Sequence, residues 1–447
     1  APPHRVKLQN HPERKTRPLP TWPWADTDQP TRPVRVGVLV DLVWSPQAGG
    51  HVKCWERFAE AACRIPDRLD LTVHFSGAAA GRHELAPNVR YLIHPPVFST
   101  ARIPFLSHVP DHTDLAPYHF GLARALAGYD VLHTTDAFFA FAKTAARVAR
   151  RRGIPLTNSI HTDTPGYTRV FTVQSIHRVV GQGMLGRLLI DRLQVHERAA
   201  ADMLAKLARH QAQCRHALVS QAEDFDRARS VLPEERLGYL RRGIDRDAFT
   251  PAKRDRAAVR ESYGVPEDRV LILFAGRVNR GKNVMVLAQA VRRLVERGVP
   301  VHLLCAGKGD DRQAILDLLG DHASCPGPVA QTELQRLYAS ADLFAFPSEV
   351  EVFANVVQEA LTSGLPVVMA EKSGSGHLVD ADTGVVLDGR DVDAWEQALG
   401  DLASRPDRLA DMKRAARTRA ERTLPSWLEV LEQDLLPRWQ AATKGRA

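Results

Sequence analysis

Two segments of the sequence are almost wholly apolar over the length of a β-strand: VRVGVLVDLV at residues 34–43 and RVLILFAG at residues 269–276. Strands that are apolar on both sides must be covered on both faces, as in parallel sheets flanked by helices. After each segment, stretches with helical periodicity alternate with further apolar runs. The pattern therefore predicts an α/β protein with two doubly wound domains.

The same alternation predicts the individual elements. In the first half we expect helices at 51–64 and from about 138, strands at 69–76, 89–94, 130–135 and 155–161, and one long helix over 171–216. In the second half we expect helices at 283–297, 311–319, 332–339 and 355–363, strands at 301–307, 342–348 and 366–370, and closing helices at 406–422 and 426–441.

Polar residues and a proline at 241–251 interrupt the alternation and separate the two halves. Residues 34–245 should form the first domain and residues 246–420 the second, because 447 residues are too many for one ordinary core. Residues 1–33 are basic and proline-rich and lack the apolar core of a secretory signal, so we expect a poorly packed extension there. Residues 421–447 should form a C-terminal helix.

The positive charge is concentrated in the first half of the sequence. Residues 1–250 hold 34 Lys and Arg against 24 Asp and Glu, whereas residues 251–447 hold 26 against 28. A basic half fits a nucleic acid, an anionic lipid surface or an anionic small molecule. The sequence has neither zinc-finger spacing nor an RNA-binding aromatic motif, which makes a nucleic acid the weakest of the three.

Cysteine usage and hydropathy indicate the compartment. The five cysteines are scattered without a C-x-x-C pair, which favours reduced thiols in a cytoplasmic protein. No apolar run reaches the roughly 18–20 residues that span a bilayer.

The basic segment 171–216 is either a helix packed on the first sheet or a surface that rests on anionic lipid. The packed helix is favoured, because membrane contact needs exposed apolar residues.

Ligands of open parallel sheets bind beyond the carboxyl ends of the strands, where two loops carry marked residues. Gly49 and Gly50 follow the first strand and permit backbone N–H groups to approach an anion at a helix N-terminus. Arg277 and Lys282 follow the strand at 269–276, and a fork of donors beside a point charge suits a diphosphate. A plain turn and a solvated basic loop are the alternatives.

A third loop lies in EVEVFANVVQEALTSGLPVV, residues 349–368. Glu351 falls just beyond a strand and Glu359 one turn into the next helix, so both carboxylates can face one crevice. Carboxylates accept hydrogen bonds from sugar hydroxyls, and the N–H groups of residues 353–355 suit a phosphate. Two glutamates that merely solvate a helix start are the alternative.

Four polar residues lie at strand ends of the first domain: His133, Asp136, His161 and Asp163. These residue types could hold one metal ion, but polar residues that line an acceptor cleft are the more ordinary explanation. His161 is the strongest individual candidate among them.

Together these segments resemble the retaining glycosyltransferases of family 4, which have the GT-B fold. The matching motifs are the Gly-Gly loop, GRVNRGKN for G-R-x-x-x-x-K-G, LYASADLFAFPS, and residues 349–368 for E-G-F-G-x-x-x-x-E-A-M-A-S-G-x-P-V-V. PLTNSIHTDTPGYTR, SQAEDFDRA and LRRGIDRDAF further resemble the branch that contains sulfoquinovosyl-diacylglycerol synthase and lipid mannosyl- and glucosyltransferases. The resemblance implies two Rossmann-like domains that face a central cleft, with C-terminal helices crossing back to the first domain.

The resemblance also implies how the chain would hold a nucleotide-sugar donor. The implied donor-binding residues are Gly49, Gly50, Gly276, Arg277, Lys282, Gly327, Val329, Glu351, Val352, Phe353, Ala354 and Glu359. Arg277 and Lys282 would bind the diphosphate, and Glu359 the ribose. Glu351 and the backbone of Phe353 and Ala354 would hold the sugar and phosphate, and the loop at 327–329 would meet the base. The implied catalytic residues are His161, Arg277, Lys282 and Glu351, and the acceptor would lie near His133, Asp136 and Asp163.

The sequence departs from the family pattern at five positions. Val352 and Ala354 stand where glycines are usual, and Asn283 replaces the glycine after the lysine. Arg242 replaces an asparagine, and His377 stands where a glutamate is usual. These departures concern the identity of the donor sugar more than the fold.

The implied reaction is transfer of a hexose from a UDP-glucose-type donor or GDP-mannose to a hydroxyl, with retention, by front-face displacement. No cofactor and no metal is expected, because two cations already serve the diphosphate. The acceptor would be a lipid or an envelope glycan, reached at the inner face of the cytoplasmic membrane by peripheral contact with anionic lipid. A soluble glycan or small metabolite is the alternative acceptor. A catalytically idle binding protein and a sugar-nucleotide epimerase are the rival classes.

Overall fold

The computed structural model describes residues 32–46, 48–103, 112–161, 164–181, 183–349, 354–373 and 375–444. Predictions for Asp163, Glu351, Val352 and Phe353 lie outside the described residues. All five cysteines are free thiols. Within the described ranges, no helix has the length and apolarity needed to cross a membrane.

The first sheet has eight strands: β1 (Val34–Val43), β2 (Leu69–Ser76), β3 (Gly81–Ala86), β4 (Val89–His94), β5 (Val131–Thr134), β6 (Leu156–Ser159), β7 (His216–Val219) and β8 (Leu237–Tyr239). Their order is β3-β4-β2-β1-β5-β6-β7-β8, and only the β3–β4 pair is antiparallel. The connecting helices are α1 (Gly50–Ala62), α2 (Phe120–Ala125), α3 (Ala140–Arg152), α4 (Thr164–Val180), α5 (Met184–Arg187), α6 (Val195–Gln211) and α7 (Ala222–Ala228).

The second sheet has six parallel strands: β9 (Val270–Ala275), β10 (Val301–Ala306), β11 (Ala323–Gly327), β12 (Leu343–Phe346), β13 (Val367–Ala370) and β14 (Gly384–Leu387). Their order is β11-β10-β9-β12-β13-β14. The flanking helices are α8 (Arg256–Tyr263), α9 (Val284–Glu296), α10 (Arg312–Leu319), α11 (Gln331–Ser340), α12 (Asn355–Thr362), α13 (Val392–Ala403) and α14 (Pro406–Thr423). The two doubly wound sheets confirm the predicted α/β architecture; the predicted domain bounds stay predictions.

The prediction of one long helix over 171–216 is wrong. The segment contains most of α4, then α5, a π-helical turn at Leu188–Arg192, α6 and the start of β7. Gly181 has φ of +74°, a backbone conformation that ends a helix, and Gln194 has φ of +47° just before α6. As a result α4 and α6 pack on each other as a helical hairpin.

The C-terminal residues return to the first sheet, as predicted. Helix α14 packs in the core of the second sheet, whereas α15 (Trp427–Val430), the π-helical turn Leu431–Leu435 and α16 (Leu436–Lys444) pack in the core of the first. The chain therefore crosses between the sheets twice, near Ile244 and near Ser426. The crossings run side by side, because the Ile244 amide donates to the Pro425 carbonyl at 2.9 Å.

The Trp439 side chain anchors the returning helix. It is fully buried, and its indole N–H donates to His133 Nδ1 at 3.2 Å. We expect Trp439→Ala to lower the free energy of unfolding by about 3–5 kcal/mol, because it leaves a cavity in the first core and removes the indole hydrogen bond to His133. Urea denaturation measures the change. Lys444→Ala, at the exposed end of the same helix, is the control, and equal stability of both variants would contradict the anchoring role.

Candidate active site between the two sheets

The glycine loop after β1 faces the start of α12 across the cleft. Gly49 is the extended residue that precedes α1, and Gly50 is the first residue of that helix. A Cβ atom placed on Gly50 would lie 4.0 Å from Nδ2 of Asn355, the first residue of α12. Two helix starts, one from each half of the chain, thus converge on the same space, and partial positive charge gathers there.

Arg277 and Lys282 lie together in the loop after β9. Arg277 is exposed and Lys282 is half-buried in a short 3₁₀ turn. Burial, reinforced by the nearby Arg277 guanidinium, lowers the pKa of Lys282 to about 8. Two like charges held this close favour an anion that neutralises both, and a diphosphate is such an anion.

The loop after β9 rests on the loop after β10, which the sequence interpretation overlooked. Gly276 has φ of +144° and its amide donates to the Ala306 carbonyl at 3.0 Å. A side chain at Gly307 would overlap the Gly276 backbone, and one at Gly309 would overlap the Val278 carbonyl. The G-x-G spacing at the end of a strand was the available indication of this close approach.

Asn283 explains how the chain dispenses with the family's glycine after Lys282. Its φ of +53° is left-handed, a conformation that asparagine tolerates better than other side chains. Its Nδ2 donates to the Pro347 carbonyl at 3.2 Å and so joins the cationic loop to the segment beyond β12. The substitution keeps the backbone conformation and adds a tether.

The glutamates of residues 349–368 have different surroundings. Glu349 is almost buried and pairs with Arg390 at 2.9 Å and with Lys372 at 3.6 Å, which is a structural role. Glu359 lies on α12 beside the Tyr338 hydroxyl. Burial raises the pKa of Glu359 to about 7, although Tyr338 and Arg57 of α1 lower it. Glu359 is therefore close enough to the first half of the chain to interact with it across the cleft.

The Ala354 amide, which was predicted to hold a phosphate, has a hydrogen-bond partner within the chain. Ala354 is buried, and its N–H donates to the Ser375 hydroxyl at 2.7 Å. Ser375 lies two residues before His377, one of the positions where the sequence departs from the family pattern. The Asn355 side-chain oxygen is nearby, buried and without a hydrogen-bond partner among the described residues.

His161 is held as a neutral imidazole at the end of β6. Arg242 Nη1 donates to its Nδ1 at 2.8 Å, and since arginine only donates, the proton lies on Nε2 and points to Ser159 Oγ at 2.7 Å. Burial and the Arg242 charge hold the pKa of His161 well below its usual range. The ring stacks on His51 with centroids 4.6 Å apart. His161 can thus shape the cleft, but it carries no charge there.

The acceptor-side prediction for His133 is wrong, because the residue has no exposed surface. Its Nε2 lies 2.8 Å from Ser159 Oγ and its Nδ1 lies 2.9 Å from Thr157 Oγ1, under the returning α16. Asp136 accepts from the amides of Phe138 and Phe139, just before α3. No group of three or more His, Cys, Asp or Glu side chains within the described part of the chain is arranged to hold a metal ion.

The loop at Gly327–Val329 borders a cavity of about 600 Å³ between the two halves of the chain. Gly327 ends β11 with φ of +88°, and Val329 lines the cavity. The opposite wall comes from the first half and includes Trp44, Lys53 and Arg57. The sequence did not single out these three residues. The two cations are paired within the same wall, Lys53 with Glu56 at 2.7 Å and Arg57 with Glu60 at 2.8 Å.

The architecture is that of GT-B glycosyltransferases. Sucrose-phosphate synthase from Thermosynechococcus elongatus superposes with a TM-score of 0.65 at 18% identity over 92% of this chain and 99% of that one. Anabaena HepE in complex with UDP-glucose gives 0.60 at 15% identity over 92% and 98%. WaaG, a glycosyltransferase involved in lipopolysaccharide biosynthesis, gives 0.58 at 17% identity over 92% and 98%.

Sequence comparison identifies the family. The family profile "Glycosyl transferases group 1" matches residues 255–419. D-inositol 3-phosphate glycosyltransferase from Xylanimonas cellulosilytica is 32% identical over 337 residues, 72% of this chain and 74% of the relative. Its counterpart from Streptomyces scabiei is 30% identical over 69% of this chain and 68% of the relative. The chain belongs to the group 1 glycosyltransferases and is a transferase.

Replacing Asn283 tests the tether between the loops. We expect Asn283→Ala to lower the free energy of unfolding by about 1–2 kcal/mol. Alanine is strained in the left-handed conformation, and it lacks the side-chain hydrogen bond to the Pro347 carbonyl. Asn283→Gly loses the same bond without the strain and should be less destabilised. Urea unfolding of both variants measures the difference; an alanine variant as stable as the glycine variant would rule out the strain.

Proposed function

We propose that the chain transfers a hexose from a nucleotide diphosphate sugar, of the UDP-glucose or GDP-mannose type, to a hydroxyl acceptor with retention of configuration. The observation that carries the proposal is the Arg277–Lys282 pair in the loop after β9, where burial, reinforced by the Arg277 charge, lowers the pKa of Lys282. A diphosphate leaving group develops negative charge as its bond to the sugar breaks. Two cations positioned before the reaction stabilise that charge without reorganisation.

Glu359 and Val329 would bind the nucleoside from either side of this pair, Glu359 at the ribose and Val329 at the base. Gly50 leaves space for the phosphates on the opposite wall. Glu351 and Phe353 would hold the sugar. Water is excluded when the two halves close on the donor, which limits hydrolysis. The two cations make a metal unnecessary in this proposal.

Front-face displacement is proposed because Asp41 and Asp136, carboxylates near strand ends of the first sheet that the structure describes, are engaged elsewhere. Asp41 is almost fully buried and accepts from the amides of Asp114 and Phe141. Asp136 accepts from two amides of its own loop. Neither is presented as a nucleophile to a sugar in the cleft. The departing diphosphate would then take the acceptor proton as the new bond forms on the same face.

The acceptor is proposed to be a lipid or an envelope glycan, since the first half of the chain is basic and the branch resemblance points to lipid glycosylation. A soluble phosphorylated polyol is the second candidate. The names of the relatives, D-inositol 3-phosphate glycosyltransferases, favour it.

A nucleotide-release assay separates these possibilities. UDP-, GDP- and ADP-sugars are each tested in the presence of EDTA. Each is tested without an acceptor, with membrane lipid and with inositol 3-phosphate. Release from one donor that rises with lipid supports the lipid acceptor, and release that rises only with the inositol phosphate supports the polyol. Loss of release with EDTA would overturn the metal-independent mechanism. Absence of nucleotide-sugar binding would favour an idle relative.

Lys282→Ala tests the diphosphate assignment. We expect kcat/KM for transfer to fall by about 10²–10³-fold, because the variant loses a charged hydrogen-bonding group aimed at the diphosphate leaving group. Lys206→Ala removes a lysine that pairs with Asp202 on the surface of α6, and it should leave transfer unchanged. Circular dichroism verifies the fold of both. Full activity of the Lys282 variant would exclude Lys282 from the reaction.

The lowered pKa of Lys282 predicts a pH dependence of nucleotide binding. Only the protonated amine attracts the diphosphate, so the affinity for UDP should be constant below pH about 8 and fall above it. With one proton involved, the fall is about tenfold per pH unit at most. Calorimetric titration across this range measures it. Lys282→Arg stays charged and should bind UDP with a flat profile; an unchanged slope in that variant would assign the titration to another group.

A further inference from the structure

The far end of the α4–α6 hairpin exposes an unusual number of apolar side chains. We call residues 178–181 and 183–193 the hairpin tip. Eleven large apolar side chains are exposed among the described residues, and five of them lie in the tip. They are Val179, Met184, Leu185, Leu188 and Leu193, with exposures of 66%, 87%, 54%, 41% and 38%. Such clustering on a surface marks a contact with something else.

The hairpin tip also carries arginines without acidic partners. Arg178, Arg187 and Arg192 are exposed, and none forms an ion pair with a described residue. Asp191 is the single acidic residue of the tip. Nearer the base of the hairpin, Arg169 pairs with Glu197 at 2.7 Å and Lys206 pairs with Asp202 at 2.6 Å. In the tip, three exposed arginines thus lie among the exposed apolar side chains.

The tip packs chiefly within the hairpin. Helix α5 contacts α4, and the π-helical turn contacts α5 and α6. The exposed apolar side chains therefore serve no core of either sheet. The combination differs from an ordinary solvated helix face, where exposed residues are polar.

We propose that the hairpin tip docks onto an anionic lipid bilayer. The apolar side chains would enter the boundary between head groups and acyl chains, while the three arginines would contact lipid phosphates. A second copy of the chain is a poorer occupant. A two-fold symmetric contact through this small patch would bring unpaired arginines of both copies together, which like charges disfavour.

The base of the hairpin connects this surface to the cleft. Helix α4 begins at Thr164, three residues after His161. It has 17 residues, a length of about 25 Å. The tip would thus hold the bilayer about one helix length from the site. The inference rests on the proposed function in one respect: a lipid acceptor would explain why the chain docks on a bilayer. Docking itself requires neither a nucleotide-sugar nor turnover.

Vesicle cosedimentation of the whole chain tests the proposal, with phosphatidylcholine alone and with added phosphatidylglycerol. We expect binding to the anionic vesicles only. The triple variant Arg178→Gln, Arg187→Gln, Arg192→Gln should lose about fivefold in partitioning for each arginine. The double variant Met184→Ser, Leu185→Ser should lose about tenfold or more.

The matched control is Arg150→Gln, Arg151→Gln, Arg152→Gln, which removes the same charge from the exposed end of α3. It should bind vesicles as the unmodified chain does. Lys282→Ala should also bind normally, so failure of the reaction and failure of docking are read separately. Equal losses in both triple variants, or tip variants that bind normally, would overturn the proposal. A dimer that forms without lipid and dissociates in the Met184→Ser, Leu185→Ser variant would also overturn the proposal, because a second copy of the chain would then cover the tip.

Discussion

The double crossing between the two sheets is the contact on which the rest of the structure depends. Where the two crossing segments pass each other, a side chain on Gly243 would overlap the backbone of Trp427, so only glycine permits the approach. The Ile244 amide and the Pro425 carbonyl then join the two crossings. Trp427 in turn packs edge-on against Phe58 of α1, with ring centroids 4.9 Å apart. One small region thereby sets the separation of the two halves.

The same region delivers a charged group into the cleft. Arg242 precedes Gly243, and its guanidinium reaches both His161 and the thiol of Cys54. Its carbonyl accepts from Gln358 of the second half at 3.3 Å. A residue that differs from the family pattern therefore links α1, the end of β6 and α12. Because the cationic loop and Glu359 approach from the second half, the geometry of the proposed donor site depends on how this junction is held.

Sequence reasoning succeeded where the information is local. The long apolar runs of β1 and β9 specify buried parallel strands directly, and Arg277 and Lys282 share one loop. It failed where a partner comes from far along the chain. His133 has the sequence position of a cleft residue, but Trp439 covers it from 306 residues away. The Ala354 amide is engaged by Ser375, which no helix-start pattern reveals. Short strands such as β8 depend on neighbouring strands more than on their own composition.

The return of the C-terminal helices has a consequence for synthesis on the ribosome. The core of the first sheet includes Val430, Leu435 and Trp439, which are translated after the whole second sheet. Chains emerge amino end first, and domains generally fold as they emerge. The second half can complete its core while the first half still lacks the C-terminal helices that cover its sheet. The nascent first sheet therefore waits with apolar surface uncovered, and this period is when a chaperone would protect it.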